Sequence, residues 1–92
     1  MRWSEIQWIN TFGRQTARLA IGAYTLSLIQ EVEPDLFEIA ILKDSEFIQM
    51  PGINDQGDDD VLRFLTKPEV IAIIRKIEGV AGVAPKNKSR DT

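Results

Sequence analysis

The hydrophobic spacing of this chain changes part-way along its length, and that change constrains the fold more than any other feature. Apolar residues alternate with polar ones in the first half, which is typical of half-buried strands. After residue 66 they recur instead at the spacing of an α-helix. The sequence therefore predicts an α+β fold, in which a C-terminal helix packs on one face of a small antiparallel sheet.

Three to five strands are expected in that sheet. The segments that favour strands are residues 17–21, 24–30, 36–42 and 47–50. In the clearest of these, Phe37, Ile39 and Ile41 share one face and Glu38 lies on the other. Short loops join the segments, at 33–35 and at 43–46, and short loops connect antiparallel neighbours. We therefore predict a β-meander.

The helix is predicted from its start signals as well as from its spacing. Thr66 suits the N-cap, Pro68 lies in the first turn, and Glu69 completes a capping box. Gly79 is the predicted end. Five aliphatic residues recur at helical spacing along this segment: Val70, Ile71, Ile73, Ile74 and Ile77.

Two further segments lack a single clear pattern. Residues 4–12 fit a helix through Ser4 and Gln7 as a capping box, but they also alternate as a strand would, and we favour the strand. Residues 58–65 begin with three aspartates and continue with apolar residues, which predicts a short helical turn with acidic residues at its positive end.

The composition indicates a single small domain and excludes several kinds of chemistry. The chain of 92 residues is 43% hydrophobic and 27% charged, as in ordinary globular domains. It contains no cysteine and no histidine, which excludes disulfides, thiol nucleophiles and histidine-based catalysis. The remaining route to an enzyme is carboxylate or lysine chemistry, and we expect no enzyme and no cofactor.

The charge is unevenly distributed along the chain. Residues 86–92 are mostly basic and are predicted to form a flexible tail, leaving residues 1–85 as the domain with a net charge of −5. A body of that sign disfavours nucleic acid as a partner. The longest uncharged run is twelve residues, too short to span a membrane, and no signal peptide is evident. We expect a cytoplasmic protein.

Two groups of residues were considered as ligand sites. The acidic residues Asp55, Asp58, Asp59 and Asp60 could hold calcium, but they do not fit the EF-hand pattern, so a solvated loop is the preferred interpretation. Trp3, Trp8 and Phe12 near Arg2, Arg14 and Arg18 could stack on single-stranded nucleic acid, but aromatic residues at these spacings are more often core.

The aliphatic helix gives the best indication of a binding role. Ile71 widens its apolar stripe beyond what a thin domain needs, and an exposed remainder would be an association surface. The predicted partner-binding residues are those of this helix and of the acidic segment before it: Ile71, Arg75, Lys67, Asp58, Asp59 and Asp60.

Two segments also carry a likeness to known proteins. The string at 37–44 and the string at 58–70 resemble small orphan accessory proteins encoded by tailed bacteriophages, over about a third of the chain. The resemblance implies no active residue. It implies a short protein that binds host factors or virion components. A non-enzymatic protein-binding module is therefore expected, with a structural or homo-oligomeric component as the alternative.

Overall fold

The computed structural model of the chain describes residues 1–55, 57 and 59–82. A 3-10 helix at Trp3–Glu5 precedes six strands and one α-helix. The strands are β1 (Ile9–Thr11), β2 (Arg14–Ile21), β3 (Tyr24–Gln30), β4 (Phe37–Lys43), β5 (Glu46–Phe47) and β6 (Val61–Leu65), and the helix is α1 (Lys67–Ala81). The predicted α+β class is confirmed. The sheet has one strand more than the expected maximum of five.

All strand pairs in the sheet are antiparallel. β1 to β5 are hydrogen-bonded in chain order, as expected for a meander, and β6 pairs with β4 beside β5. The predicted strand at 24–30 is confirmed at both ends, and the one at 36–42 is shifted by one residue. The predicted strand at 47–50 is present but shorter and begins one residue earlier: Glu46 and Phe47 pair with β4, and the chain leaves the sheet after the amide of Ile48 donates to the carbonyl of Ile41 at 3.0 Å.

The core lies between one face of the sheet and α1. Phe37, Ile39 and Ile41 all point into it, as the alternation predicts. The helix contributes Val70, Ile74 and Ile77, which are completely buried. Burial of a large aliphatic side chain is worth about 1.5–3 kcal/mol, so this seam supplies much of the stability of so small a domain.

The start of α1 is as predicted and its end is not. Thr66 accepts a hydrogen bond from the amide of Glu69, whose carboxylate in turn accepts one from the amide of Thr66 at 2.8 Å. The helix continues past Gly79 to Ala81, and Gly82 ends it in a left-handed conformation. The added turn brings Ala81 against the hydrophobic core, a contact that the local sequence does not reveal.

The segment before α1 is a strand, so the predicted helical turn at 58–65 is wrong. β6 pairs with the otherwise open side of β4, with Leu65 opposite Phe37 and Val61 opposite Ala40. Asp59 accepts a hydrogen bond from the amide of Val61, ahead of a strand and not of a helix. An unpaired strand side within reach outweighs local helix preference, because strand propensity depends strongly on tertiary context.

The first twelve residues combine both predicted conformations. A single 3-10 turn at Trp3–Glu5 is followed by strand β1, so the preferred strand holds for residues 9–11 only. The turn is closed by Arg2, whose amide donates to Glu5, and not by Ser4 and Gln7. Ile6 is buried in the core, so this segment covers the same face of the sheet as α1.

The connection between β5 and β6 is organised by one buried amide. Asn54 is 1% exposed. Its side-chain oxygen accepts from the amide of Met50 at 2.6 Å, and its nitrogen donates to the carbonyls of Ile48 and Asp60, each at 3.0 Å. These three bonds tie both ends of the connection together, and Met50 is thereby held in the core.

Candidate protein-binding surface

One end of the sheet carries three exposed hydrophobic side chains, which we call the apolar end patch: Phe12, Val32 and Phe64. Phe12 is fully exposed, Val32 is 82% exposed and Phe64 is 67% exposed. They lie in the β1–β2 turn, in the β3–β4 loop and near the end of β6. Single exposed apolar side chains are ordinary on protein surfaces, but three large ones at the same end of one sheet are a candidate interaction site.

The strand register brings these three positions to the same end. The β1–β2 turn follows the pair Thr11 and Arg14, and the β3–β4 loop follows the pair Gln30 and Phe37. Leu65, next to Phe64, pairs with Phe37 at that same level. With strands about 4.8 Å apart, the patch extends for about 15 Å from the β1–β2 turn to β6.

Two members of the apolar end patch have backbones that disfavour a phenylalanine. Phe12 has φ +52° and Phe64 has φ +57°, both in the left-handed region. That region is uncommon for any residue with a side chain and is an outlier for a bulky one. Phe12 and Gly13 form the two-residue turn of a hairpin, where Asn-Gly is the favoured pair. Neither phenylalanine is therefore explained by local backbone preference.

The conformation of Phe64 comes from a β-bulge. Between the pairs Phe37–Leu65 and Ile39–Leu62, Arg63 and Phe64 stand opposite the single residue Glu38. Bulges bend a strand and re-aim its side chains. The amide of Phe64 is held outside the ladder by a hydrogen bond to the carboxylate of Glu31 at 3.2 Å.

Charged side chains surround Arg63 beside the bulge. Its guanidinium donates to Asp59 at 2.8 Å and to Glu38 at 3.0 Å. The hydrogen bond with Asp59 is the main reason that the pKa of Arg63 is raised, with further contributions from the charges of Glu38 and Glu31. In return, the same hydrogen bond lowers the pKa of Asp59, with help from the amide of Val61.

We expect the stability of the domain to fall in acid and to stay nearly constant between about pH 6 and 8, where no side chain has its ordinary pKa. The pKa of Glu69 is lowered by the backbone and hydroxyl of Thr66, as that of Asp59 is by Arg63. When folding lowers the pKa of a carboxyl group, its charged form stabilises the folded domain. This stabilisation is fully present above the ordinary carboxyl pKa, near 4, and is lost as the pH falls through the lowered pKa of the folded state.

Urea unfolding at a series of pH values measures this effect. Asp59→Asn should be less stable than the wild type at pH 7, and the difference should shrink below about pH 4 as Asp59 is protonated. A difference that does not change with pH would show that the charge of Asp59 contributes nothing. A steep change in wild-type stability between pH 6 and 8 would contradict the prediction of a flat region.

The structure places the predicted partner-binding residues on two elements, α1 and the segment that leads into β6. Lys67, Ile71 and Arg75 lie along one side of α1; Lys67 and Arg75 are exposed, whereas Ile71 is half-buried against the core. The apolar stripe of α1, which Ile71 widens, is therefore largely packed against the core. Asp59 is bound to Arg63 in the strand region, and Asp60 contributes its carbonyl to Asn54. Asp58 lies outside the described residues, as does the predicted tail at 86–92.

The aromatic residues considered for nucleic-acid stacking are split between two places. Trp3 and Trp8 pack against Phe37, with ring centroids 4.9 and 5.5 Å from it, on the side of the sheet that holds the core. The Nζ atom of Lys67 lies 5.4 Å from the ring of Trp3. Phe12 alone stands free at the hairpin. The two tryptophans thus serve packing, as the preferred interpretation expects.

Other features of the described part of the chain bear on the alternatives. Within residues 1–55, 57 and 59–82, no group of three or more acidic residues is placed to hold a metal ion. No helix in those residues is long and apolar enough to cross a membrane. Comparisons with protein-family models, curated proteins and solved structures gave no significant match.

Sequence reasoning missed the apolar end patch for an identifiable reason. Phe12 was grouped with the core aromatics, because spacing alone does not separate a turn residue from a strand residue. Phe64 falls in the segment predicted as a short helical turn at 58–65, and Val32 belongs to no predicted element. The one available signal was the pair Phe12 and Gly13, a two-residue turn with an unfavourable first member.

Proposed function

We propose that this domain is a non-enzymatic protein-binding module whose contact surface is the apolar end patch. The carrying observation is that Phe12 and Phe64 are exposed in left-handed conformations. Phe12 is fully exposed and Phe64 is two-thirds exposed, so the two side chains contribute little burial, and the left-handed conformation costs about 1 kcal/mol per residue. Side chains that weaken the fold in this way are expected where a partner covers them, because aromatic anchors dominate protein interfaces.

The surroundings of the patch favour a protein partner over the other classes. Three carboxylates, from Glu31, Glu38 and Asp59, lie near Arg63 and Phe64, and they disfavour a phosphate backbone. Aromatic anchors rimmed by charged groups are the usual anatomy of a protein-protein contact. The resemblance to small bacteriophage accessory proteins and the expected cytoplasmic location are consistent with this role and remain predictions.

Affinity capture from a lysate of the cells that make the protein tests the proposal. The wild type should retain a partner that Phe12→Asn/Phe64→Asn loses, because asparagine accepts the left-handed backbone but removes the anchors. Val80→Asn is the matched control, since Val80 is 59% exposed on α1, near the opposite end of the sheet. Circular dichroism confirms that each variant is folded.

Two outcomes would contradict the proposal. One is capture of the same proteins in the same amounts by the wild type and by the variant lacking both phenylalanines. The other is equal loss with Val80→Asn, which would indicate a general stickiness of exposed apolar groups and no specific surface.

A further inference from the structure

The face of the sheet opposite α1, which we call the outer face, is covered by no helix among the described residues. On β2 and β3, residues alternate between the two faces: Ala17, Leu19 and Leu28 belong to the core, so Arg18 and Ile29 point outward. The outer residues of the four longest-paired strands are Arg14, Thr16, Arg18, Ala20, Thr25, Ser27, Ile29, Glu38, Ala40, Leu42, Val61 and Arg63.

The outer face is positive on one side and negative on the other. On β2, Arg14 and Arg18 are exposed, and neither makes an ion pair within the described part of the chain. On the other side, around β4 and β6, the carboxylates of Asp59, Glu38 and Glu31 lie near a single positive group, the guanidinium of Arg63. Formal counting at neutral pH leaves an excess charge of about −2 there. The two charged areas lie on either side of β3.

We propose that the outer face binds the outer face of a second copy of this chain, related by a two-fold axis parallel to β3. Rotation about that axis lays β2 of each copy over β4 of the other. Arg14 and Arg18 of one copy then face Glu38 and Glu31 of its partner, twice per dimer. Isologous contacts require such self-complementarity, and the charge pattern of this face provides it.

The distances suit such a contact, and its apolar part is limited to Ile29 and Ile9, because Ala40 and Leu42 on the same face are already buried in the monomer, at 8% and 9% exposure. Packed sheets lie about 10 Å apart, which an arginine and a glutamate can span together. Ile29, half-buried in the monomer, lies on the two-fold axis and contacts Ile29 of the second copy. Ile9 on β1 is 67% exposed and lies over β6 of that copy.

The expected dimer is weak and sensitive to salt. Five neighbouring strands about 4.8 Å apart give a face about 24 Å wide. A dimer would then bury at most about 1,000 Å² in total, because part of the β4 surface is already buried in the monomer, and this is the lower limit for a specific interface. Its association should therefore depend strongly on the ion pairs at its edges, which salt screens.

Sedimentation equilibrium on the purified chain tests this inference with charge-reversed variants. The wild type should dimerise at tens to hundreds of micromolar and weaken about tenfold between 50 and 500 mM salt. Arg14→Glu/Arg18→Glu and Glu31→Lys/Glu38→Lys should each be monomeric alone. Mixed together they should form a one-to-one dimer, because each then presents the charge that the other lacks.

A matched control and a milder variant complete the experiment. Arg75→Glu/Lys76→Glu makes the same change of charge on the exposed side of α1 and should leave the dimer intact. If Arg14→Glu/Arg18→Glu fails to fold, the milder variant Arg14→Gln/Arg18→Gln takes its place. It should weaken the dimer about tenfold. A wild type that stays monomeric to millimolar concentration, or a dimer unaffected by salt and by either reversal, would overturn the inference. The proposed function does not depend on this outcome, because the variants at Arg14 and Arg18 keep the three side chains of the apolar end patch and the carboxylate of Glu31 that accepts from the amide of Phe64.

Discussion

Replacing Asn54 by alanine is expected to lower the free energy of unfolding by about 3 kcal/mol. The side chain is buried and makes three hydrogen bonds to the backbone. Alanine would leave the amide of Met50 and two carbonyls without their partner. Each buried polar group so deprived costs about 1–3 kcal/mol, less where water can enter.

The loss should be visible in thermal unfolding. In a domain of this size, about 3 kcal/mol corresponds to a fall in Tm of roughly 15 °C. Asn10→Ala is the control, since Asn10 is exposed and its side chain accepts a single bond from the amide of Gly13. That variant should lose less than about 1 kcal/mol. Equal effects of the two substitutions would mean that Asn54 does not anchor the β5–β6 connection.

Replacing Gly22 by alanine is expected to cost about 2–3 kcal/mol, because two separate penalties meet at this residue. Gly22 has φ +58° in the β2–β3 turn, which disfavours any side chain. An added Cβ would also stand 2.8 Å from the Cβ of Ala81, so the end of α1 would have to move. Chemical denaturation measures the loss.

A double-mutant cycle separates the two penalties. Gly13→Ala has the same backbone problem, with φ +83°, but its new Cβ meets nothing within 4 Å, so it should cost about 1 kcal/mol. Adding Ala81→Gly to Gly22→Ala should recover the steric part, after allowing for about 1 kcal/mol lost to glycine in a helix. An absence of coupling between residues 22 and 81 would contradict the docking of the last turn of α1.

The parts of the fold that sequence predicted are those set by local pattern. Alternation located β3 and β4, and the capping box of Thr66 and Glu69 located the start of α1, because each signal depends on residues within one element. The end of α1 was missed because Ala81 is held by its contact with Gly22, fifty-nine positions away in the chain. The strand β6 was missed because it pairs with β4 across 21 to 28 positions of the chain, from the pair Ala40 and Val61 to the pair Phe37 and Leu65.

The candidate site was harder to predict than the fold. Phe64 becomes exposed only through the bulge opposite Glu38, and Phe12 only because the register makes it a turn residue. Neither feature follows from periodicity. In the same way, no local pattern indicates that Asn54 is buried, and only the structure places its side chain between two carbonyls and an amide.

If the phenylalanines of the apolar end patch serve binding and not the fold, the free energy of unfolding of Phe12→Asn/Phe64→Asn should show it. Asparagine suits the left-handed backbone of both positions and gives the Asn-Gly pair that hairpin turns favour. The variant should be more stable than the wild type by about 1 kcal/mol in urea denaturation. A loss of about 1 kcal/mol or more would show that the two side chains support the fold, and would contradict the claim.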